Sequence, residues 1–338
     1  MTDAETAELE AWLEFNQHNR GHAGTTLGSY RAAVRLWAEW CAGQRVQMTR
    51  ATPDQVQRWT GIELHKRGLS SATRRVFVSA LRGWYRWLLA RRVITVNPCE
   101  GLPYPKLGRS LPVPMPVADA EKLLAGCDLD TFAGVRDIAM LAVLLGCGPR
   151  VSGLTAMNEG DLLWTVSEQG FEELTIRLRE KGAHERYVPA PEETRLLVRA
   201  YLGHPELEEI DRRLPDGDQV LWCNQHNSHT LGPDHRGEAR RLTAWSVWQM
   251  IKRRGETAGI EARYLHPHAF RHLYGQELAE GDVNLLTAQR LMGHTDPKST
   301  AIYSHIAFRK LRKAAQEANP MRRIKSPASG LAAVLRGK

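Results

Sequence analysis

The chain is expected to be mostly α with a small antiparallel sheet: an N-terminal helical domain followed by a larger α+β domain. Three observations predict this. Apolar residues recur at helical spacing through most of the 338 residues. A run with six prolines, Asn97–Pro116, breaks that pattern and denies helix. A single stretch, from Leu162 to Val188, reads as consecutive short strands bounded by turn residues.

Taken in order, helices are expected over Ala4–His18, Thr26–Gly43, Pro53–Arg67 and Ser71–Arg92, with Thr25, Thr52 and Ser70 as N-caps near three of them. In the fourth, Phe77, Leu81, Trp84 and Leu88 form an apolar face. Arg75, Ser79, Arg82 and Arg86 form another, which reads either as a DNA-backbone stripe or as an ordinary solvated face. The proline run carries Lys106 and Arg109 and reads as a solvated interdomain linker. The boundaries this gives are a helical domain at 1–105, a linker at 106–116, a second domain at 117–319 and a basic extension at 320–338.

In the second domain, Val117–Cys127 and Phe132–Leu145 read as helices. Leu162–Val166, Glu173–Leu178 and Glu185–Val188 read as strands, with Lys181-Gly182 in the last turn. Further helices are expected at Pro191–Leu202, Thr243–Ala258, His268–Glu280, Asn284–Met292 and Ala307–Ala318, and Cys223–Arg240 reads as a polar loop. The apolar segment Ile138–Cys147 is too short for a bilayer span of roughly 18–20 residues and reads as a buried helix.

The formal charge of +8 and pI of about 9.4 favour an anionic partner, nucleic acid ahead of membrane. A basic enzyme with no polyanionic partner fits the same numbers. Five scattered cysteines and an acidic, amphipathic N-terminus point to a reducing cytoplasm.

The most informative stretch is Leu265–Ile306, which holds His268, Arg271, His294 and Tyr303. His268 and Arg271 lie one helical turn apart and project from one face. Arg150 follows Gly148-Pro149 at the end of a buried helix, where a turn can aim it. Two guanidinium forks suit the non-bridging oxygens of a phosphodiester. Tyr303 is the candidate nucleophile, helped by cations that favour phenolate. Tyr187, Tyr264 and Tyr274 compete for that role. Lys181 is the candidate general acid for the leaving oxygen. His268 and His294 can donate to phosphate or shuttle a proton, with His266, His272 and His305 nearby. Each of these residues alone has a plainer reading as a salt bridge, a core tyrosine, a solvent lysine or a satisfied histidine. Cys223, His226, His229 and His235 raise zinc weakly, on an irregular loop without a closed ligand set.

These segments resemble the tyrosine recombinase (phage integrase) family, from about Gly24 to Asn319. GPRVSGL, with Arg150, resembles the segment of the first catalytic arginine. REKGAHERYVP, with Lys181, resembles the family's G-K-G-x-K-E-R hairpin, with Glu180 replacing the first glycine. HPHAFRH supplies the H-x-x-R pair, and LMGHTDPKSTAIYSHI the last histidine and the nucleophile. LSSATRRVFVSALRGWYRWLLARRVITVNPCEGLPYPK is similar to the last helix and exit of the SAM-like core-binding domain. SHIAFRKLRKAAQEANP resembles the end of Xer-like members. The chain departs from the family at Gly153, where an acidic residue is usual, at Pro149, and in its longer tail. No amino-terminal arm-binding domain is evident.

The resemblance implies a site-specific DNA recombinase whose catalytic residues are Arg150, Lys181, His268, Arg271, His294 and Tyr303. It implies a 3′-phosphotyrosyl intermediate and a Holliday junction, for integration, excision or dimer resolution. It implies no metal or nucleotide cofactor and no membrane. Its partners would be double-stranded DNA and three further copies, a homotetramer on two sites closed by C-terminal helix exchange. An accessory protein or second recombinase stays open. Base reading is assigned to the Arg75, Arg82 and Arg86 stripe and to Ser246, Gln249 and Arg253 on one helix face. The alternatives are a type IB topoisomerase, a non-catalytic DNA-binding protein, for which Gly153 is the support, and a metal-dependent nuclease.

Overall fold

The computed structural model describes residues 1–107, 113–180, 184–225, 235–281 and 283–293. Within them the chain is mostly helical with one three-stranded antiparallel sheet, as expected, and it divides between Ser110 and Leu111 into two compact units.

The first unit is helical. Helix α1 (Asp3–Arg20) starts at a capping box between Thr2 and Glu5 and stops at left-handed Gly21. Helix α2 (Gly24–Gly43) begins earlier than expected. Its N-cap is Ala23, and Thr25 does not cap it. Thr52 and Ser70 do cap their helices, each accepting from the backbone three residues on.

The expected helix over Pro53–Arg67 is instead three pieces: α3 (Pro53–Arg58), a π turn (Trp59–Glu63) and α4 (Leu64–Lys66). Thr60 Oγ donates back to the Val56 carbonyl at 2.8 Å, which competes with the helical ladder there. Helix α5 (Ser71–Ala90) buries Phe77, Leu81, Trp84 and Leu88, the face its periodicity sets out. The core is aromatic. Trp37 Nε1 donates to the Tyr85 hydroxyl at 2.7 Å, which donates to the Met48 carbonyl at 2.8 Å. Cys99 and Leu102 are buried in this core, so the first part of the proline run belongs to the unit and is not free linker.

The second unit is built around α7 (Phe132–Cys147), buried almost all round, with α6 (Val117–Ala125) before it and the short α8 (Val151–Thr155) after it. Met115, from the end of the proline run, joins this core. Strands β1 (Leu162–Val166), β2 (Glu172–Glu180) and β3 (His184–Pro189) form a meander in that order. Ile176 pairs with both Leu162 and Val188, and Leu178 with Arg186, so these residues share the buried face. Helices α9 (Glu192–Leu202), α10 (Pro205–Glu208), α11 (Ala244–Thr257), α12 (Pro267–Glu280) and α13 (Leu285–Met292) complete the described part. The helix expected at Ala307–Ala318 and the tail at 320–338 lie outside the described residues.

One buried carboxylate pins α7 to α11. Asp137 is fully buried, with Arg254 at 2.6 Å and Arg136 at 2.8 Å. The same arginines also donate to the carbonyls of Gly126 and Cys223. Removing one member of such a cluster strands the others' charge. Asp137→Ala should lower the stability of the second unit by about 3–5 kcal/mol, read as a shift of its urea unfolding midpoint at unchanged slope.

Candidate active site

Helix α7 ends at Cys147, and Gly148 turns the chain in the left-handed region at φ +55°. A Cβ there would lie 2.2 Å from the Tyr274 ring, so both the conformation and the close approach require glycine. Pro149 follows, and Arg150 is the N-cap residue of α8. The sequence places Arg150 at a turn after a buried helix, and that is where it stands.

Helix α12 opens with His266 as its N-cap. The His266 Nδ1 accepts from the Ala269 amide at 3.2 Å, which leaves the ring proton on Nε2 when the imidazole is neutral. Pro267 takes the first helical position. His268 and Arg271 follow in the first turns. Arg271 is only 3% exposed, and its two terminal nitrogens donate to the carbonyls of Gly148 and Met292. The fork therefore joins the end of α7 to the end of α13.

His268 reaches solvent, yet its ring sits over packed atoms. Desolvation lowers its pKa below the ordinary imidazole value, and the charges of Arg271, His266 and Arg150 lower it further. Arg150 is lowered by desolvation and then by the nearby charge of Arg186. Arg150, His268 and Arg271 thus share one electrostatic neighbourhood at the N-terminal end of α12. Lys181, His294 and Tyr303 lie outside the described residues.

Two of the three competing tyrosines are poorly suited to attack. Tyr264 is buried at 4% exposure. Burial pushes the Tyr274 phenol up to about 12, away from phenolate. Tyr187 is exposed, on β3. The weak zinc reading gains nothing. Cys223 is buried beside the Tyr201 hydroxyl at 3.5 Å, and His235 Nε2 lies 2.7 Å from the Asn224 side chain. His226 and His229 lie outside the described residues. Among the described residues no group of three His, Cys, Asp or Glu could hold a metal, and no helix is long and apolar enough to cross a membrane.

The base-reading candidates fall in two places. In the first unit, the guanidiniums of Arg75 and Arg82 lie over the Tyr104 ring at 4.6 and 4.9 Å. Arg82 and Arg86 line a recess of about 410 Å³ with Arg20 and Asn16. Ser79 Oγ, 3.1 Å from the Arg75 carbonyl, can instead donate to the Tyr104 phenol oxygen, the largest cause of that phenol's lowered pKa. On α11, Ser246 is taken up in the N-cap with Thr243, while Gln249 and Arg253 are exposed. The sequence reading missed Trp245, which is 64% exposed and packs on Trp248 at 4.8 Å, with Lys252 over the second ring. Two tryptophans three apart on an amphipathic helix, off its apolar face, were the available signal.

It also missed Arg186. This arginine sits on the buried face of β3 opposite Leu178 and donates to the carbonyls of Cys147, Gly148 and Leu291. An arginine in phase with Val188, on the inward alternation of a strand, was the signal.

Two guanidiniums and an imidazole gathered at a helix N-terminus suit an anionic group such as a phosphate ester. Comparison with known proteins fixes the family. The Phage integrase family profile matches residues 115–310, and the N-terminal SAM-like domain of phage integrases matches 9–92. The tyrosine recombinase XerD of Pseudomonas putida is 31% identical over 229 residues, covering 68% of this chain and 69% of the relative. XerD of Yersinia pestis is 29% identical over 320 residues, covering 95% and 99%. Among solved structures, XerH recombinase bound to a palindromic difH substrate after cleavage superposes with a TM-score of 0.68 at 18% identity, covering 88% of this chain and 80% of the other. A lambda integrase dimer on a core site gives 0.59 at 14%, covering 86% and 95%. These two show the shared fold. The chain belongs to the phage integrase family and is a tyrosine recombinase.

The lowered imidazoles set an acid limit. Burial, followed by His268 and His266, holds His272 down at about 4, against an ordinary 6.5. The unfolded chain binds that proton more tightly than the folded one. The stabilising contribution is therefore full above pH 6.5 and is lost as pH falls toward about 4. The melting temperature of the second unit should fall across this window, and His272→Gln should flatten the fall.

Proposed function

We propose that this tyrosine recombinase exchanges strands between two specific DNA sites, with Tyr303 as nucleophile. The observation that carries the reading is the joint placement of Arg150, His268 and Arg271 at the N-terminal end of α12. Their order along the chain matches the family motifs, and His294 and Tyr303 follow in the same order.

Tyr303 Oη attacks the scissile phosphorus, and the bond to the 5′ oxygen breaks. The product is a 3′-phosphotyrosyl link and a 5′-hydroxyl. Arg150 and Arg271 bind the non-bridging oxygens, where negative charge grows in the transition state. His268, held neutral, donates a hydrogen bond or relays the phenolic proton, and His294 donates to the phosphate. Lys181 protonates the leaving oxygen. The 5′-hydroxyl of the partner strand then attacks the phosphotyrosine, returns the tyrosine and forms a Holliday junction. The second pair of strands resolves it. Each forward step makes one phosphoester bond for the one it breaks, so no external energy source enters.

In this reading residues 1–105 bind the duplex through the Arg75–Arg86 stripe, and 117–319 contain the catalytic machinery. The 106–116 segment joins them, and the basic residues of 320–338 extend the contact with DNA. Four copies act on two sites, with the segment after Tyr303 exchanged between neighbours, in the cytoplasm. XerH and lambda integrase have been solved on their own DNA sites, and this chain shares their fold.

Incubation of the protein with nicked suicide duplexes in chelator should give a covalent protein–DNA adduct. Candidate sites would come from selection out of random sequence. Tyr303→Phe should abolish the adduct and retain binding. Specific binding without a wild-type adduct would leave the non-catalytic reading, and an adduct that survives in Tyr303→Phe would remove Tyr303 as the nucleophile.

A further inference from the structure

Arg186 has no part in the chemistry just described, yet it touches the segments that carry it. Its strand neighbours on the buried face, Leu178, Ile176 and Val188, are apolar. A leucine or methionine there would fill the same space without desolvating a charge. The arginine is instead 9% exposed, and burial lowers its pKa to about 10. Its donations go to main-chain carbonyls at two helix ends. Cys147 and Gly148, at 3.4 and 3.2 Å, end α7 one residue, Pro149, short of Arg150. Leu291 lies in the last turn of α13, from which the chain continues to His294 and Tyr303. β3 itself is the strand that follows Lys181. The Gly148 carbonyl is shared, accepting from both Arg186 and Arg271.

We propose that Arg186 is a positioning residue for strand cleavage, clamping the end of α13 and the Arg150 turn to β3 so that the three segments bearing the reacting groups hold one register. The inference rests on the recombinase reading above. Each helix end leaves unsatisfied carbonyls, and a guanidinium can cap two of them at once with fixed geometry. A lysine offers donors but no planar fork, and a methionine offers none.

The test uses full-length Arg186→Met and Arg186→Lys. Single-turnover adduct formation on the nicked site is measured at saturating protein, alongside DNA affinity, melting temperature and hydrogen exchange. The methionine variant should form adduct about 100-fold more slowly, the scale on which a misplaced group loses rate, with DNA affinity unchanged. Lysine should recover part of the rate. Exchange should rise together in peptides covering 147–151 and 285–293 and elsewhere stay level. A wild-type adduct rate in the methionine variant would overturn the proposal. So would a slower rate that merely tracks a global loss of melting temperature and affinity, with no local rise in exchange. If the wild type itself forms no adduct, the recombinase reading fails. Exchange still decides the clamp, because unchanged protection in both peptides would refute it.

Discussion

Two helix ends meet in the second unit, and the site depends on how their carbonyls are satisfied. Helix α7 stops at left-handed Gly148 and α13 at left-handed Gly293. Each stop leaves carbonyls without helical donors. Arg271 from α12 and Arg186 from β3 supply those donors across both ends. A sheet, two helix termini and a third helix are thereby fixed at one point. The turn into Arg150, the face of α12 and the exit of α13 all take their positions from it.

That arrangement concentrates positive charge. Arg150, Arg186 and Arg271 lie close together, and burial lowers the pKa of Arg150 and Arg186. His268 and His272 are driven toward their neutral forms first by desolvation and then by neighbouring charges that include Arg271. Preorganised donors of this kind need no rearrangement as charge develops on the reacting phosphorus. Asp137, with Arg136 and Arg254, and Asp161, with Arg177 at 2.7 Å, neutralise other arginines by direct ion pairs.

Much of this was legible in the sequence, for physical reasons that differ by element. Helices α5, α9 and α11 carry strong apolar stripes, and their extents followed from spacing alone. The strands were legible because alternation and turn residues coincide between Leu162 and Val188. Helices α8 and α10 were missed because each is too short for a periodic stripe. The π turn depends on one threonine hydroxyl, and Thr25 looked like a cap only because the true start, Gly24 after Ala23, has no capping side chain. The linker was overdrawn since proline content reports the absence of helix, not exposure: Cys99, Leu102 and Met115 are buried. Arg150, His268 and Arg271 were singled out through order and residue type, and the structure brings them together. Arg186 stood within a quoted motif but was not singled out, because its partners are main-chain carbonyls, which a sequence does not distinguish.

The main-chain carbonyls that receive the Arg271 fork bear on Gly153, which stands where the family usually has an acidic residue. Gly153 is buried in α8, one turn from Arg150. A carboxylate at such a position can hold a guanidinium in place, but it also cancels much of its field. Main-chain carbonyls hold the donor geometry while contributing only partial charges, about half an electron at a helix C-terminus. Arg271 is oriented in this way by Gly148 and Met292, through backbone that no side-chain substitution deletes. Gly153 is therefore compatible with an ordered Arg271 fork. The burden of orientation passes to the two left-handed glycines, and Gly148 has no room for any other residue against Tyr274.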